Sequence, residues 1–328
     1  MQGFQISAAK HLNAAISKGK PGPHWRGTVF PDRYHAPTSP ERFAEIVHTM
    51  IRSAGEGALA VSMWGLLACA GGRADMSAYN HTPQWEVMRR PANLLHWRLV
   101  GSVPHGTDSY TEGLVFVGDR LFESVGPYGN SRVLEIDART GVVLRAQHDP
   151  DGVPWPPGRW FGEGLAEAGG RLVQLSWRNH HALIWNLATF AREGDFAYDR
   201  EGWGLCSDGK VFWRSDGSDA LERHTLTDFA PVGDPLMVRL GTEPVEALNE
   251  LECIGDDVFA NVWETPFVVR IDSRTGQVTG VLDLQPLVED ANASGQESVL
   301  NGLAWNAHTH RLYVTGKLWS KMYVIEWN

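Results

Sequence analysis

The sequence predicts an all-β fold: a five-bladed β-propeller with a poorly structured N-terminal extension. Three observations point to it. A short phrase recurs five times, as Glu112-Gly113-Leu114, Glu163-Gly164-Leu165, Trp203-Gly204-Leu205, Asn249-Glu250-Leu251 and Asn301-Gly302-Leu303, with its leucines 40 to 52 residues apart. Self-similarity at that period marks a propeller or a related repeat array. Each phrase is followed by a turn and a second apolar strand, and strands of period two continue from there with no helical run expected between them.

The elements follow in order. The second strands read Leu121-Phe122-Glu123, Leu172-Val173-Gln174, Val211-Phe212-Trp213, Val258-Phe259-Ala260 and Leu312-Tyr313-Val314. Four of the intervening turns carry glycine, at Gly118-Asp119, Gly169-Gly170, Asp208-Gly209 and Gly255-Asp256, which are hairpin signals. The fifth, residues 306–311, has no glycine. Third strands include 132–137 and 268–272, and two of them end in matching Asp-x-Arg-Thr-Gly turns, at Asp137 and at Asp272. Short fourth strands are expected over 142–146 and 278–284. The last copy ends after three strands. The segment 97–103 precedes the first copy and reads as the outer strand of the last blade, closing the ring and removing a free sheet edge.

Composition narrows the function classes. A net charge of −10 argues against a nucleic-acid or anionic-lipid surface. Eleven of the 14 tryptophans lie at or after Trp97, and inter-blade packing accounts for most of them. Residues 1–49 form an extension that stands upstream of a second candidate start at Met50, and 50–69 read as a lipoprotein signal peptide. Its apolar stretch, 58–68, has the length of a signal-peptide core and is too short to span a bilayer. It ends in Leu66-Leu67-Ala68-Cys69, which looks like a lipobox with Cys69 as the lipidated residue, although Glu56 departs from the usual pattern. Residues 70–96 would then be a linker and 97–328 the propeller, exported to the periplasm or anchored to a membrane through Cys69 and acting as a monomer. Cys206 and Cys253 read as two small buried hydrophobes, because equivalent positions in neighbouring blades are expected to lie too far apart for a disulfide.

Innermost strands ring a central channel, so equivalent positions converge on one volume. That volume receives Glu112, Glu163, Trp203, Asn249 and Asn301, with Trp177, Trp263 and Lys317 from the ends of second strands. Tyr110 and Phe161 stand two residues before the two glutamates, on the same strand face. Glu250 is expected to face away from Asn249. A carboxylate among indoles is desolvated, which raises its pKa toward the range useful for proton transfer. Carboxamides and indole N–H groups can hold a carbonyl and its developing oxyanion. Neither a Ser-His-Asp set nor a histidine cluster occupies these slots. Metal-free proton transfer around a carbonyl, with a glutamate as acid and base, is the chemistry expected.

Seven ordered motifs then resemble the plant and bacterial type of glutaminyl cyclase. They are Tyr110-Thr111-Glu112-Gly113-Leu114, Phe161-Gly162-Glu163-Gly164-Leu165, Gly202-Trp203-Gly204-Leu205, Leu248-Asn249-Glu250-Leu251-Glu252, Asn261-Val262-Trp263, Leu300-Asn301-Gly302 and Val314-Thr315-Gly316-Lys317. The resemblance spans 97–327 and implies a five-bladed propeller without cofactor or catalytic metal. It implies conversion of N-terminal glutamine in peptides or proteins to pyroglutamate, with release of ammonia. It makes Glu163 the general acid/base and Glu112, at a place where plant members have glutamine, the partner of the substrate α-ammonium. Asn249 and Trp263 would grip the γ-amide, while Tyr110 (phenylalanine in the family pattern), Phe161, Trp177 and Trp203 would wall the side chain. Lys317 would stand at the rim, holding a peptide carbonyl or tuning Glu163, and Asn301 would be channel structure. Two alternatives compete: a metal-dependent lactonase-type propeller, and a non-catalytic propeller lipoprotein that binds peptides or sugars.

Overall fold

The computed structural model describes residues 84–148, 159–295 and 297–327. The extension 1–49, the signal-peptide reading of 50–69, Cys69 and the first part of the 70–96 linker lie outside the described residues.

Five four-stranded antiparallel sheets form, one for each copy of the repeat. Their first strands are Tyr110–Val117, Gly162–Ala168, Leu205–Ser207, Leu248–Ile254 and Leu300–Asn306. Each of these strands touches the next, and the last touches the first, so they form a closed ring. The closing strand is Trp97–Pro104, which pairs antiparallel with Lys321–Trp327 as the outer strand of blade 5. The expected closure is therefore present, and its reason is chemical: it satisfies the backbone groups of an edge that would otherwise be open.

The core is divided among the blade interfaces. Five apolar clusters lie between consecutive blades, for example Phe122, Val133, Leu165, Leu172 and Trp185 between blades 1 and 2, and Leu114, Leu121, Ala304 and Met322 between blades 5 and 1. The five repeat leucines, Leu114, Leu165, Leu205, Leu251 and Leu303, are at most 1% exposed. Each contributes about 1.5–3 kcal/mol by leaving water. The preceding glycine has a geometric cause. A Cβ on Gly164 would lie 2.4 Å from Leu205 N, and one on Gly204 would lie 2.0 Å from Asn249 O, so neighbouring first strands approach too closely for a side chain. In blade 4 the same place is taken by Glu250. Its carboxyl reaches across the ring and accepts from Leu114 N at 3.1 Å and Leu303 N at 2.9 Å.

The glycine-free turn after the fifth phrase is built differently. Asn306 Oδ1 accepts from His308 N and Thr309 N, and His310 takes a left-handed conformation at φ 52°.

Three expectations are corrected. A helix, Gln285–Ala291, does interrupt the strands between blades 4 and 5, with proline in its first turn and left-handed Asn292 at its C-cap. Seven residues are too few to display a helical period in the sequence. Part of the linker is also ordered against the propeller: Gln84–Met88 is helical, Met88 is fully buried in the cluster between blades 3 and 4, and Leu95 N donates to Val281 O at 2.8 Å. Finally, Cys206 and Cys253 are joined in a disulfide, with Cα atoms 5.5 Å apart. First strands converge toward the channel, so equivalent positions there are much closer than at the rim of the blades. The bond closes a loop with a sequence separation of 47. By chain entropy it stabilises the fold by about 4 kcal/mol. Reduction, or Cys206→Ala with Cys253→Ala, is expected to lower the urea midpoint accordingly; equal midpoints for oxidised and reduced protein would show that the bond contributes nothing.

Candidate active site

The phrase positions coincide with irregularities in the first strands. The pairing register shifts between Thr111 and Gly113, Gly162 and Leu165, Leu248 and Leu251, and Leu300 and Leu303. These steps enclose Glu112, Glu163, Asn249 and Asn301. A bulge frees a residue from the ladder and re-aims its side chain, which is how residues in a packed sheet come to face the channel. In blade 3 the strand begins only at Leu205, and Trp203 is held just ahead of it by Trp203 N donating to Ser215 O at 3.0 Å.

Two buried carboxyl groups meet at the centre. Glu112 is 1% exposed and Glu163 6% exposed, and their side chains hydrogen-bond to one another. Lys317 Nζ lies 2.8 Å from Glu112 Oε1, and Asn301 Nδ2 donates to Glu112 Oε2 at 3.2 Å and to Thr111 O at 2.9 Å. Burial pushes the Glu112 pKa up, and the Lys317 charge limits the rise to about 7. Burial, and then the Glu112 charge, push Glu163 well above the usual carboxylate range, with Lys317 opposing from further off. The ammonium thus favours the charged form of Glu112, while burial and the neighbouring carboxyl favour the neutral form of Glu163. Two carboxyls in contact with one cation titrate as a pair.

Aromatic rings enclose this centre. Phe161 meets Tyr110, Trp177 and Tyr128 edge-on, with centroids 6.1, 5.5 and 5.2 Å away. Trp203 and Trp263 meet edge-on at 5.6 Å. Trp160 and Trp319 are wholly buried packing residues, whereas Trp177, Trp203 and Trp263 stay half-buried and are free to meet a ligand. Lys317 Nζ lies 4.5 Å from the centroid of the Tyr110 ring. Tyr110 Oη donates to Glu297. Asn249 is 3% exposed, and its Oδ1 is buried without a protein partner.

All nine sequence-derived residues of the propeller site, Tyr110, Glu112, Phe161, Glu163, Trp177, Trp203, Asn249, Trp263 and Lys317, are among the described residues, and the contacts above tie most of them together. Two readings need correction. Lys317 is not a rim residue: it is 6% exposed and ion-paired with Glu112. Asn301 is more than channel structure, since it holds Glu112. One residue was missed. Glu201 accepts from both Trp177 Nε1 at 2.7 Å and Trp203 Nε1 at 3.1 Å, and from Arg178 Nε at 2.9 Å. Burial pushes its pKa up, but the Trp203 N–H, Arg178 and the Trp177 N–H outweigh that and lower it. It therefore stands as a fixed anion that orients two indoles. The signal was present: Glu201 lies two residues before Trp203, as Tyr110 and Phe161 lie two before the glutamates. Among the described residues no group of three or more His, Cys, Asp or Glu side chains is arranged to hold a metal ion.

A model of the glutamine cyclotransferase family matches residues 69–327. The chain is 38% identical over 232 residues to an Arabidopsis thaliana protein named glutaminyl-peptide cyclotransferase, covering 70% of each chain. It superposes on the crystal structure of Myxococcus xanthus glutaminyl cyclase with a TM-score of 0.66 at 33% identity, covering 72% of this chain and 98% of that one. With the channel and its paired carboxyls in place, the chain belongs to the glutamine cyclotransferase family.

Proposed function

We propose that this protein is a glutaminyl-peptide cyclotransferase in which Glu163 is the general acid/base and no metal takes part. The observation that carries the mechanism is the buried pair of carboxyls, with Glu163 beside a Glu112 that is ion-paired to Lys317, and burial together with the Glu112 charge raises the Glu163 pKa.

The α-ammonium of an N-terminal glutamine gives one proton to solvent, and the neutral amine so formed attacks its own side-chain amide carbon. A C–N bond forms and the carbonyl oxygen takes up negative charge. The Glu163 carboxyl delivers its proton to the departing amide nitrogen and, as the carboxylate so formed, takes one from the attacking nitrogen. The second C–N bond breaks, ammonia leaves and the lactam remains. A carboxyl with a raised pKa suits both transfers near neutral pH. Glu112 attracts the α-ammonium into place, and the unpartnered Asn249 Oδ1 accepts from the γ-amide N–H, which glutamate lacks. The Trp263 indole N–H is assigned to the oxyanion. Phe161, Trp177, Trp203 and Tyr110 exclude water around the side chain. A metal ion at this centre would have to displace the Lys317 ammonium from Glu112, which supports a metal-independent reaction and weighs against the lactonase reading.

The test is ammonia release and the matching mass loss on a Gln-initiated dipeptide, with and without a strong chelator. Undiminished turnover in chelator is expected. Folded protein without turnover would defeat the assignment, and loss in chelator restored by a divalent ion would defeat its metal-free form.

We also infer export, with lipid attached at Cys69. The Leu66-Leu67-Ala68-Cys69 tetrad supports it, as does the Cys206–Cys253 disulfide, since such bonds persist in oxidising compartments. Expressed in a diderm bacterium, the full chain should partition into detergent with the membrane fraction and Cys69→Ser should not. Equal partitioning of the two would remove the lipid anchor.

A further inference from the structure

Behind the Glu112–Lys317 pair lies a second buried ionic group that the reaction does not touch. Glu123, on the second strand of blade 1, is fully buried. Its Oε1 receives His105 Nε2 at 3.1 Å and Thr111 Oγ1 at 2.6 Å, and its Oε2 receives Ser109 Oγ at 3.3 Å. The other ring nitrogen of His105 meets Trp319 O at 2.9 Å. Both nitrogens thus face acceptors, which fits an imidazolium. Burial alone would lower the His105 pKa; the Glu123 charge and hydrogen bond and the Trp319 carbonyl outweigh it and raise it. The remaining neighbours are Thr315 Oγ1, 3.4 Å from His105 Nδ1, and Asp108, which is paired with Arg132 at 3.0 Å.

The placement of this group is informative. Residues alternate faces along a strand. Ser109 and Thr111 point to Glu123, whereas Tyr110 and Glu112 meet Lys317 in the site. The same seam grips the segment that carries Lys317: Leu318 N donates to Ser109 O at 2.8 Å, and His105 N donates to Ser320 O at 3.0 Å. Three site residues, Tyr110, Glu112 and Lys317, are therefore each next in sequence to a residue anchored by this seam, where blade 5 closes on blade 1.

We propose that the buried His105–Glu123 ion pair is a positioning device, which sets the Glu112–Lys317 contact. This rests on the cyclotransferase reading of the site. The pair is neutral overall, so it holds Thr111 without adding net charge behind Glu112. Loosening Thr111 moves Glu112 relative to the ammonium that stabilises its charge, and the proton affinity of both site carboxyls rises.

Thr111→Val removes the hydroxyl at nearly constant shape, Thr111→Ser keeps it, and Glu123→Gln removes the anion. The measurements are kcat and KM across pH, together with a carbon-13 NMR titration of the site carboxyls in free protein. Thr111→Val is expected to lower kcat/KM at least ten-fold and to move the acidic limb and the carboxyl titration upward by half a pH unit or more, and Glu123→Gln, which also takes a negative charge away from behind the site, to lower kcat/KM at least ten-fold. Thr111→Ser should restore both. If Glu123→Gln does not fold, the threonine pair decides alone. A lower melting temperature with unchanged kcat, KM, acidic limb and carboxyl titration would reduce the ion pair to a structural role and overturn the proposal. The NMR readout needs no turnover. A titration that moves in protein without cyclase activity would sink the assigned reaction and leave the positioning role standing.

Discussion

Glu163→Gln is expected to reduce kcat for cyclisation by about 10²–10⁴-fold, the contribution of a positioned general acid/base, with little change in fold. Glutamine keeps the volume and the hydrogen bond toward Glu112 but cannot carry a transferable proton. The wild-type pH profile carries the companion prediction. Glu112 titrates near 7 and Glu163 is raised well above the usual carboxylate range. Both are acids whose neutral form is favoured in the folded protein, so lowering the pH below about 7 protonates Glu112 and removes the charge that attracts the α-ammonium. The rate kcat/KM should therefore rise with pH through neutrality, with no plateau at pH 5 to 6 of the sort an ordinary carboxylate would produce. A variant that retains more than a tenth of the wild-type kcat would remove Glu163 from the chemistry while leaving the family assignment intact.

Glu250→Ala should be the most damaging single change to stability at the channel. Burial, and then the Glu252 charge, push the Glu250 pKa well up, against the two N–H groups that its carboxyl accepts. Truncation leaves the Leu114 and Leu303 amides buried without an acceptor, at ~1–3 kcal/mol each, and opens a void where three blades meet. A loss of ~2–6 kcal/mol is expected, against a total stability of ~5–15 kcal/mol for a domain. Glu250→Gln keeps one acceptor and should fall between the two. The urea midpoint measures this; a midpoint within error of wild type for Glu250→Ala would mean that the amides find other acceptors and that the cross-channel link is dispensable.

How much of this was legible can be judged residue by residue. The X-Gly-Leu phrase was readable because two local requirements repeat: in all five blades a leucine to fill the blade interface, and in four of them a glycine where first strands crowd together. The exception at Glu250 was visible as a departure from the phrase, but its partners were not, since Leu114 and Leu303 are 136 and 53 residues away. Alternation identifies Tyr110 and Phe161, and the same spacing places Glu201 two residues before Trp203 in blade 3. The short helix at Gln285–Ala291 left no period to detect. The disulfide is not legible from blade equivalence, because first strands converge toward the channel and bring Cys206 and Cys253 within bonding reach.

The sequence by itself determined the class of fold, the closing strand and the residue types presented to the channel, because these follow from periodicity within one blade at a time. Only the tertiary structure decided that Lys317 sits on Glu112, that Glu201 orients two indoles, and that His105 and Glu123 stand behind the site. Each of those is a contact between blades or across the closing seam, and which side chains meet there depends on how the ring closes, a distance that no local pattern encodes.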